Sequence, residues 1–249
     1  MLILLPPSES KTGRARGRRL DGDRLSFPEL GATRALVADA LAEVSARPDA
    51  AAVLGVSPNL ADDIARNTRL STAATLPAAQ TYTGVLYDAL DYASLDAAAR
   101  RRANRWLVVV SALYGAVRPT DPVAPYRLSM AVNLPGVGPL ASAWKPELAR
   151  VLPQAAARGV VVDCRSSTYA AAWVPHDSLA ERWVQVRVPG ATHMAKHTRG
   201  LVARHLCEAG QDVRRVPQLV EVLQDAFDVT LSEPGRPGRP WVLDATARS

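Results

Sequence analysis

Trp106-Leu107-Val108-Val109-Val110-Ser111-Ala112-Leu113 is the stretch on which the fold turns. It carries no charge, is rich in β-branched side chains and does not alternate, which is what a strand covered on both faces requires. Val160-Val161-Val162-Asp163-Cys164 has the same character, and Met1-Leu2-Ile3-Leu4-Leu5 reads as a third buried strand ended by Pro6-Pro7. Trp183 to Val188 alternates as a half-buried strand, and Trp241-Val242-Leu243 supplies a last one beyond the Gly/Pro-rich Pro234 to Pro240.

Helical spacing separates these runs. Leu36, Val37, Ala40, Leu41 and Val44 predict a helix over 33–46, ended by Pro48. Further helices are expected over 59–67, over 78–90 with an interruption at Thr83-Gly84, over 198–209 and over 219–227. Arg100 to Arg105 is a basic run ahead of the central strand, and the Gly/Arg-rich 12–23 segment reads as a mobile loop. There is no internal repeat and no long linker. The expectation is a mixed α/β (α+β) fold, one compact domain over 1–249 with a mixed sheet wrapped by helices.

Composition narrows the function classes. The chain has 249 residues, 48% of them hydrophobic, and a net charge of +6, which favours anionic partners without defining a groove. The apolar start is too short for a secretory signal, and no run approaches the roughly 20 apolar residues of a membrane span, so a cytoplasmic, membrane-free monomer is expected. Cys164 and Cys207 lack the spacing of a disulfide framework or a zinc site. Only three of the 30 basic residues are lysines, Lys11, Lys145 and Lys196. A compact ammonium can lose its proton when desolvated and a guanidinium cannot, so a lysine kept in an arginine-using chain marks a candidate site.

Four blocks carry the chemistry. Ser8-Glu9-Ser10-Lys11 follows the first strand at its carboxyl end, where α/β proteins place ligands. Tyr82-Thr83-Gly84 interrupts a helical stretch. Leu113-Tyr114-Gly115 leaves the central strand and leads through Arg118-Pro119-Thr120-Asp121 to Pro125-Tyr126-Arg127-Leu128-Ser129-Met130, where prolines stiffen a segment carrying two guanidinium groups. Ala195-Lys196 precedes Arg199-Gly200 and Arg204. A fifth segment, Asp163-Cys164-Arg165-Ser166-Ser167-Thr168-Tyr169, ends a strand with an acid, a thiol and hydroxyls that could orient a ligand or supply a general base.

In this order the blocks resemble the signatures of the peroxide stress protein YaaA family: an amino-terminal LILLPPSESK, YTG, LYGxxRPxDxxxPYRLxM and AKxxRGxxxR. The resemblance implies a role in hydrogen peroxide tolerance, in limiting free iron and in binding DNA, and a fold with a helix-hairpin-helix element. It would place Lys11, Arg118, Arg127, Lys196, Arg199 and Arg204 around one basic pocket, with Tyr82, Tyr114, Asp121 and Tyr126 as neighbours. Arginine forks and lysine charges suit phosphate, and tyrosines can stack on a base. Ser8, Ser10, Thr83, Ser167, Tyr169 and His193 are further candidate ligand-binding residues.

Two readings stay open. One is a stress protein that binds DNA or another phosphate-bearing ligand. The other is an enzyme acting on a nucleotide, nucleobase or phosphorylated small molecule, with Lys11 or Lys196 polarising the substrate and Asp163 or Asp121 moving a proton. Val53 to Ile64 has the flanks of a helix-hairpin-helix, but Pro58 stands where an amide donor is needed, and Asp62 and Asp63 oppose phosphate. Leu134 to Gly138 reads as an ordinary turn. His193 and His197 are spaced for a shared helix face but lack a third ligand, so no metal is expected, and no cofactor fingerprint is present.

Overall fold

The computed structural model describes residues 1–190 and 192–248, without the side chains of 192 and 193. Seven strands form one sheet: β1 (Leu2–Leu5), β2 (Leu107–Ser111), β3 (Gly115–Val117), β4 (Val161–Asp163), β5 (Trp183–Arg187), β6 (Phe227–Ser232) and β7 (Trp241–Ala247). Their spatial order is β6-β7-β5-β4-β1-β2-β3. The five inner strands are parallel, and β3 and β6 close the two edges antiparallel. The fold is the expected mixed α/β class.

β1 lies inside this sheet, next to its middle strand β4. Its neighbours are β2 on one side and β4 on the other, with Ile3 opposite both Leu107 and Val162. Leu2, Ile3 and Leu4 are 0% exposed, each buried side chain contributing roughly 1.5–3 kcal/mol. Because the chain pairs first on one side of β1 and later on the other, the carboxyl ends of β1 and β4 diverge into a crevice.

The flanking helices include α1 (Gly31–Ser45), α2 (Ala50–Val53), α3 (Ala61–Asn67), α4 (Ala78–Thr81), α5 (Val85–Leu90), α6 (Ala97–Trp106), α7 (Leu140–Ala156), α8 (Ser167–Ala170), α9 (Thr192–Ala209) and α10 (Val216–Leu223). The basic run Arg100–Arg105 lies inside α6, whose amino end is capped by the Asp96 carboxylate accepting from Ala99 N at 2.7 Å. Trp106 therefore ends a helix instead of starting the central strand. Pro146 and Pro153 conceal α7 from a propensity reading. It forms because Leu140, Trp144, Leu148, Val151 and Leu152 bury one stripe against the core.

The expected 219–227 helix is displaced. Pro217 suits a first helical turn and starts α10 earlier, while Phe227 leaves it to pair with Ala247 at the start of β6. The 53–64 segment runs from the last residue of α2 through Gly55 at φ +63° and a 3₁₀ turn at Pro58–Leu60 into the first turn of α3. Its first helix is a single turn, short of the paired helices of a helix-hairpin-helix. The 12–23 loop is stitched at both ends: Thr12 N donates to Thr81 O at 2.9 Å, and Thr75 N to Arg18 O at 2.9 Å.

Two glycines explain motif positions by close approach. Gly115, at φ +69°, makes the turn between β2 and β3, and a Cβ there would lie 2.5 Å from the Trp144 ring. Arg34 braces the same turn from α1, donating to Tyr114 O at 2.9 Å, Ala116 O at 2.8 Å and Ser26 O at 2.7 Å. Gly200 lets α9 lie directly on α5, since a Cβ would come within 2.2 Å of Leu86 O. Gly200→Ala should therefore destabilise the protein by ~1–3 kcal/mol through overpacking, read as a lower urea midpoint; an unchanged midpoint would mean the two helices separate freely.

Candidate anion-binding site

Pro6-Pro7 turns the chain out of β1, and the following loop curls round the Lys11 ammonium. Lys11 Nζ donates to Ser8 O at 2.6 Å and to Glu9 O at 3.4 Å. It lies 4.3 Å from the centre of the Tyr126 ring and 5.7 Å from that of Tyr82. The loop is tied to the Tyr82-Thr83-Gly84 turn: Thr83 N donates to Ser8 Oγ at 3.1 Å, Thr83 Oγ1 to Ser10 O at 3.3 Å, and Lys11 and Tyr82 form an antiparallel bridge. Tyr87 Oη holds the Pro6 carbonyl at 2.7 Å.

These segments form one wall of a cavity of ≈ 520 Å³ at the crevice between β1 and β4. Four cations border it: Lys11 on the first loop, Arg127 on the proline-stiffened segment, and Lys196 and Arg199 on α9. Tyr87, Tyr169 and Ser166 supply aromatic and hydroxyl surface, and Glu9 is the one carboxylate among the lining residues. Arg127 leans on that carboxylate at 3.6 Å, but the Glu9 side chain is 78% exposed, so the pair is weak. Arg199 Nε donates to Val186 O at 3.2 Å at the end of β5.

Lys11 differs electrostatically from its neighbours. Burial, then the adjacent Arg127 charge, lowers its pKa from 10.5 to about 7, with Glu9 and Asp63 opposing. Its amine is thus divided between charged and neutral forms near neutrality. Tyr169 is pushed up to about 12 by burial and is a hydroxyl donor, not an anion, at such a pH.

Of the residues singled out from sequence, the structure brings Ser8, Ser10, Lys11, Thr83, Arg127, Tyr169, Lys196 and Arg199 to this cavity. Others are placed elsewhere. The Arg118 guanidinium holds the Arg105 and Asn104 carbonyls at the end of α6 and faces the Phe27 ring. Arg204 ties off α5, donating to Leu90 O at 3.1 Å, Asp91 O at 3.0 Å and Ser94 Oγ at 2.9 Å. Asp121 is spent on Ser26 N at 3.0 Å, Ser26 Oγ at 2.7 Å and Arg118 N at 2.9 Å. Ser167 is exposed at the start of α8, and its neighbour Ser166 faces the cavity in its place. The His193 side chain lies outside the described residues.

The tyrosines also sort differently from a stacking platform. Tyr82, Tyr114 and Tyr126 are 1%, 2% and 3% exposed, too buried to receive a base. Tyr126 Oη and Ser111 Oγ share a hydrogen bond of 2.7 Å, and Tyr114 Oη holds the Ala124 peptide through its N–H at 3.1 Å and its carbonyl at 3.0 Å. Tyr82 and Tyr126 form the floor under Lys11, and Tyr114 packs edge-on against Tyr126.

Asp163 is 0% exposed and paired with the equally buried Arg165. Its Oδ1 accepts from Arg165 Nε at 2.8 Å, and its Oδ2 from an Arg165 terminal nitrogen at 2.7 Å and from Trp183 Nε1 at 3.0 Å. Arg165 also donates to Tyr169 O at 3.3 Å and Trp173 O at 2.9 Å, fixing the turn that presents Ser166 and Tyr169. Asp163 is thus a support for the wall, its carboxylate spent on Arg165 and Trp183 away from the cavity lining. Cys164 beside it is raised to about 12 by burial. Asn67, 0% exposed, escaped the sequence reading; it fixes Arg127 through both backbone groups, Arg127 N at 2.9 Å and Arg127 O at 3.0 Å. A lone Asn at a helix end carries no signal of this. Among the described residues no group of three or more His, Cys, Asp or Glu could hold a metal ion, and no helix is long and apolar enough to cross a membrane.

A family profile described as Peroxide stress protein YaaA matches residues 1–230. The chain is 48% identical over 253 aligned positions to a UPF0246 protein of Streptomyces coelicolor, covering 98% of this chain and 97% of that one. It is 36% identical to a UPF0246 protein of Corynebacterium glutamicum, over 94% of this chain and 96% of the other. A UPF0246 protein of Ruegeria is 31% identical over 95% and 98% of the two chains.

The lowered Lys11 pKa sets the sign of a pH effect. Folding disfavours the ammonium, so the penalty is fully present below about pH 7 and is relieved as pH rises toward 10.5. The Tm of Lys11→Met relative to wild type should therefore be highest at and below about pH 7 and fall as pH is raised toward 10.5; a difference independent of pH would show that the ammonium is not desolvated. Asp163→Asn, in turn, should cost ~3–5 kcal/mol in a urea melt, because it leaves the Arg165 charge buried and unpaired. A variant with wild-type stability would contradict the supporting role.

Proposed function

The chain belongs to the peroxide stress protein YaaA family, and from that premise we propose that it binds a phosphate-bearing small ligand, a nucleotide foremost, in the cavity between β1 and β4. The observation that carries this reading is the convergence of Lys11, Arg127, Lys196 and Arg199 on one cavity against a single exposed carboxylate. Arg127, Lys196 and Arg199, joined by Lys11 when it is protonated, outweigh the single Glu9 carboxylate and leave a net positive field, and charge-assisted hydrogen bonds to phosphate oxygens would neutralise it. A volume of ≈ 520 Å³ is in the range of small-molecule sites. Recession of the charge into a cavity favours such a ligand over duplex DNA, which needs cations spread along a face. In this reading the protein acts as a cytoplasmic monomer, and ligand binding serves its part in limiting iron-driven peroxide damage.

One observation favours a second reading, an enzyme acting on that ligand. Lys11, with its pKa at about 7, would offer a free amine as proton acceptor or polarise an oxygen as the ammonium at the same pH. Asp121 and Asp163 have no part in this version.

Both readings are checked by thermal shift of wild type, Lys196→Ala and Arg127→Ala against nucleotides, nucleobases, orthophosphate and short duplexes. A ligand at 100 times its Kd should stabilise wild type by about 2.7 kcal/mol, and either substitution should remove most of that. Stabilisation by duplex alone, unchanged in both variants, would sink the cavity reading. Turnover of the bound ligand, lost in Lys11→Met, would select the enzyme.

A further inference from the structure

Lys11 borders more than one cavity. It also lines a cleft of ≈ 470 Å³ between the 12–19 loop and the end of α3, together with Arg14, Arg66, Arg69, Thr72 and Pro125 among others. No carboxylate lines it. Among the described residues Arg14 and Arg69 have no ion-pair partner, and Arg66 is paired only with its helical neighbour Asp63 at 2.8 Å. A small pocket of ≈ 10 Å³ shares Glu9 and Lys11 with the β1/β4 cavity and Lys11, Arg66 and Pro125 with the cleft. The two basic spaces therefore meet at one lysine.

The cleft is built, not incidental. Its outer wall is held by the Thr12 N to Thr81 O bond of 2.9 Å and by two bonds onto the Arg18 carbonyl, from Thr75 N at 2.9 Å and Thr75 Oγ1 at 3.0 Å. Arg19 and Ala74 add an antiparallel bridge. Side chains presented by a tethered loop lose less freedom on binding than those of a free one. Arg14 and Arg69 add like charges to the cleft with no carboxylate of their own to offset them, whereas Asp63 already serves Arg66, and an anion between Arg14 and Arg69 relieves their repulsion.

We propose that this cleft is a second anion subsite, and that the natural ligand carries two phosphate groups held apart in one molecule, one facing Arg127, Lys196 and Arg199 and the other facing Arg14 and Arg69, with Lys11 between them. The inference rests on the cavity reading above. Two chemistries supply such a ligand: phosphates separated by a nucleoside, as in a 5′-phosphorylated dinucleotide, and phosphates along an inorganic polyphosphate chain.

The test measures Kd by calorimetry for thymidine 5′-phosphate, 5′-phosphorylated dithymidylate, orthophosphate and tripolyphosphate. Proteins are wild type, Arg14→Ala/Arg69→Ala and Arg127→Ala. Arg14 and Arg69 are exposed, so the double variant should keep the wild-type Tm. Wild type should bind at least one of the two extended ligands about tenfold or more tightly than its single-phosphate counterpart, and the double variant should lose that gain while the single-phosphate ligand is unaffected. Which extended ligand gains identifies the spacer. Equal affinity for long and short ligands, or a gain that survives in the double variant, overturns the second subsite and leaves the cavity reading intact. Failure of both single-phosphate ligands, with tripolyphosphate binding lost in the double variant but kept in Arg127→Ala, would remove the cavity reading and leave the cleft as the anion site. No binding of any probe to wild type overturns both.

Discussion

A central parallel strand must pair its backbone on both edges and cover both faces, and β1 meets that demand with four apolar residues. Nothing polar can be accommodated until the strand ends. Pro6-Pro7 ends it, because proline has no N–H to continue the ladder. The first polar segment, Ser8 to Lys11, is thereby released at the point where the sheet changes side. The cavity, the curl round Lys11 and the junction of the two basic spaces all follow from this exit.

The cations divide by what they have been given to hold. Arg34, Arg118, Arg165 and Arg204 each satisfy backbone carbonyls at turns or helix ends, and a fork with five donors suits that task. Their charge is already used within the fold. Among the described residues Arg127 and Arg199 each reach only one backbone carbonyl, Glu9 O and Val186 O, and line the cavity together with Lys196. Lys11 stands between the classes, since two carbonyls and an aromatic ring hold a group whose proton is only loosely kept. A guanidinium there would stay charged at any ordinary pH, which gives a physical reason for lysine at this position in an arginine-rich chain.

Support for the site is buried and acts at a distance. The Asp163–Arg165 pair fixes the α8 turn, Asn67 fixes Arg127, and the hydroxyls of Ser111 and Tyr126 close the floor under Lys11. Truncating any of them would move cavity residues without touching a ligand.

By itself the sequence determined the buried strands, the α/β class, the family signatures and the polar loop after β1, because each rests on a local pattern: apolar runs, proline stops and short fixed spacings. It was less informative on elements that tertiary packing imposes. α7 forms across two prolines because Trp144 and its stripe have a core to fill, and β6 forms because β7 offers an edge. For the site, residue type marked where cations and acids stand along the chain. Only the fold decided which are spent, turning Asp163, Asp121, Arg118 and Arg204 inward to structural partners and leaving Lys11, Arg127, Lys196 and Arg199 around one space. That sorting depends on contacts between residues as far apart as 118 positions, as between Arg127 and Glu9. No local pattern encodes which partner a charge will meet across such a distance.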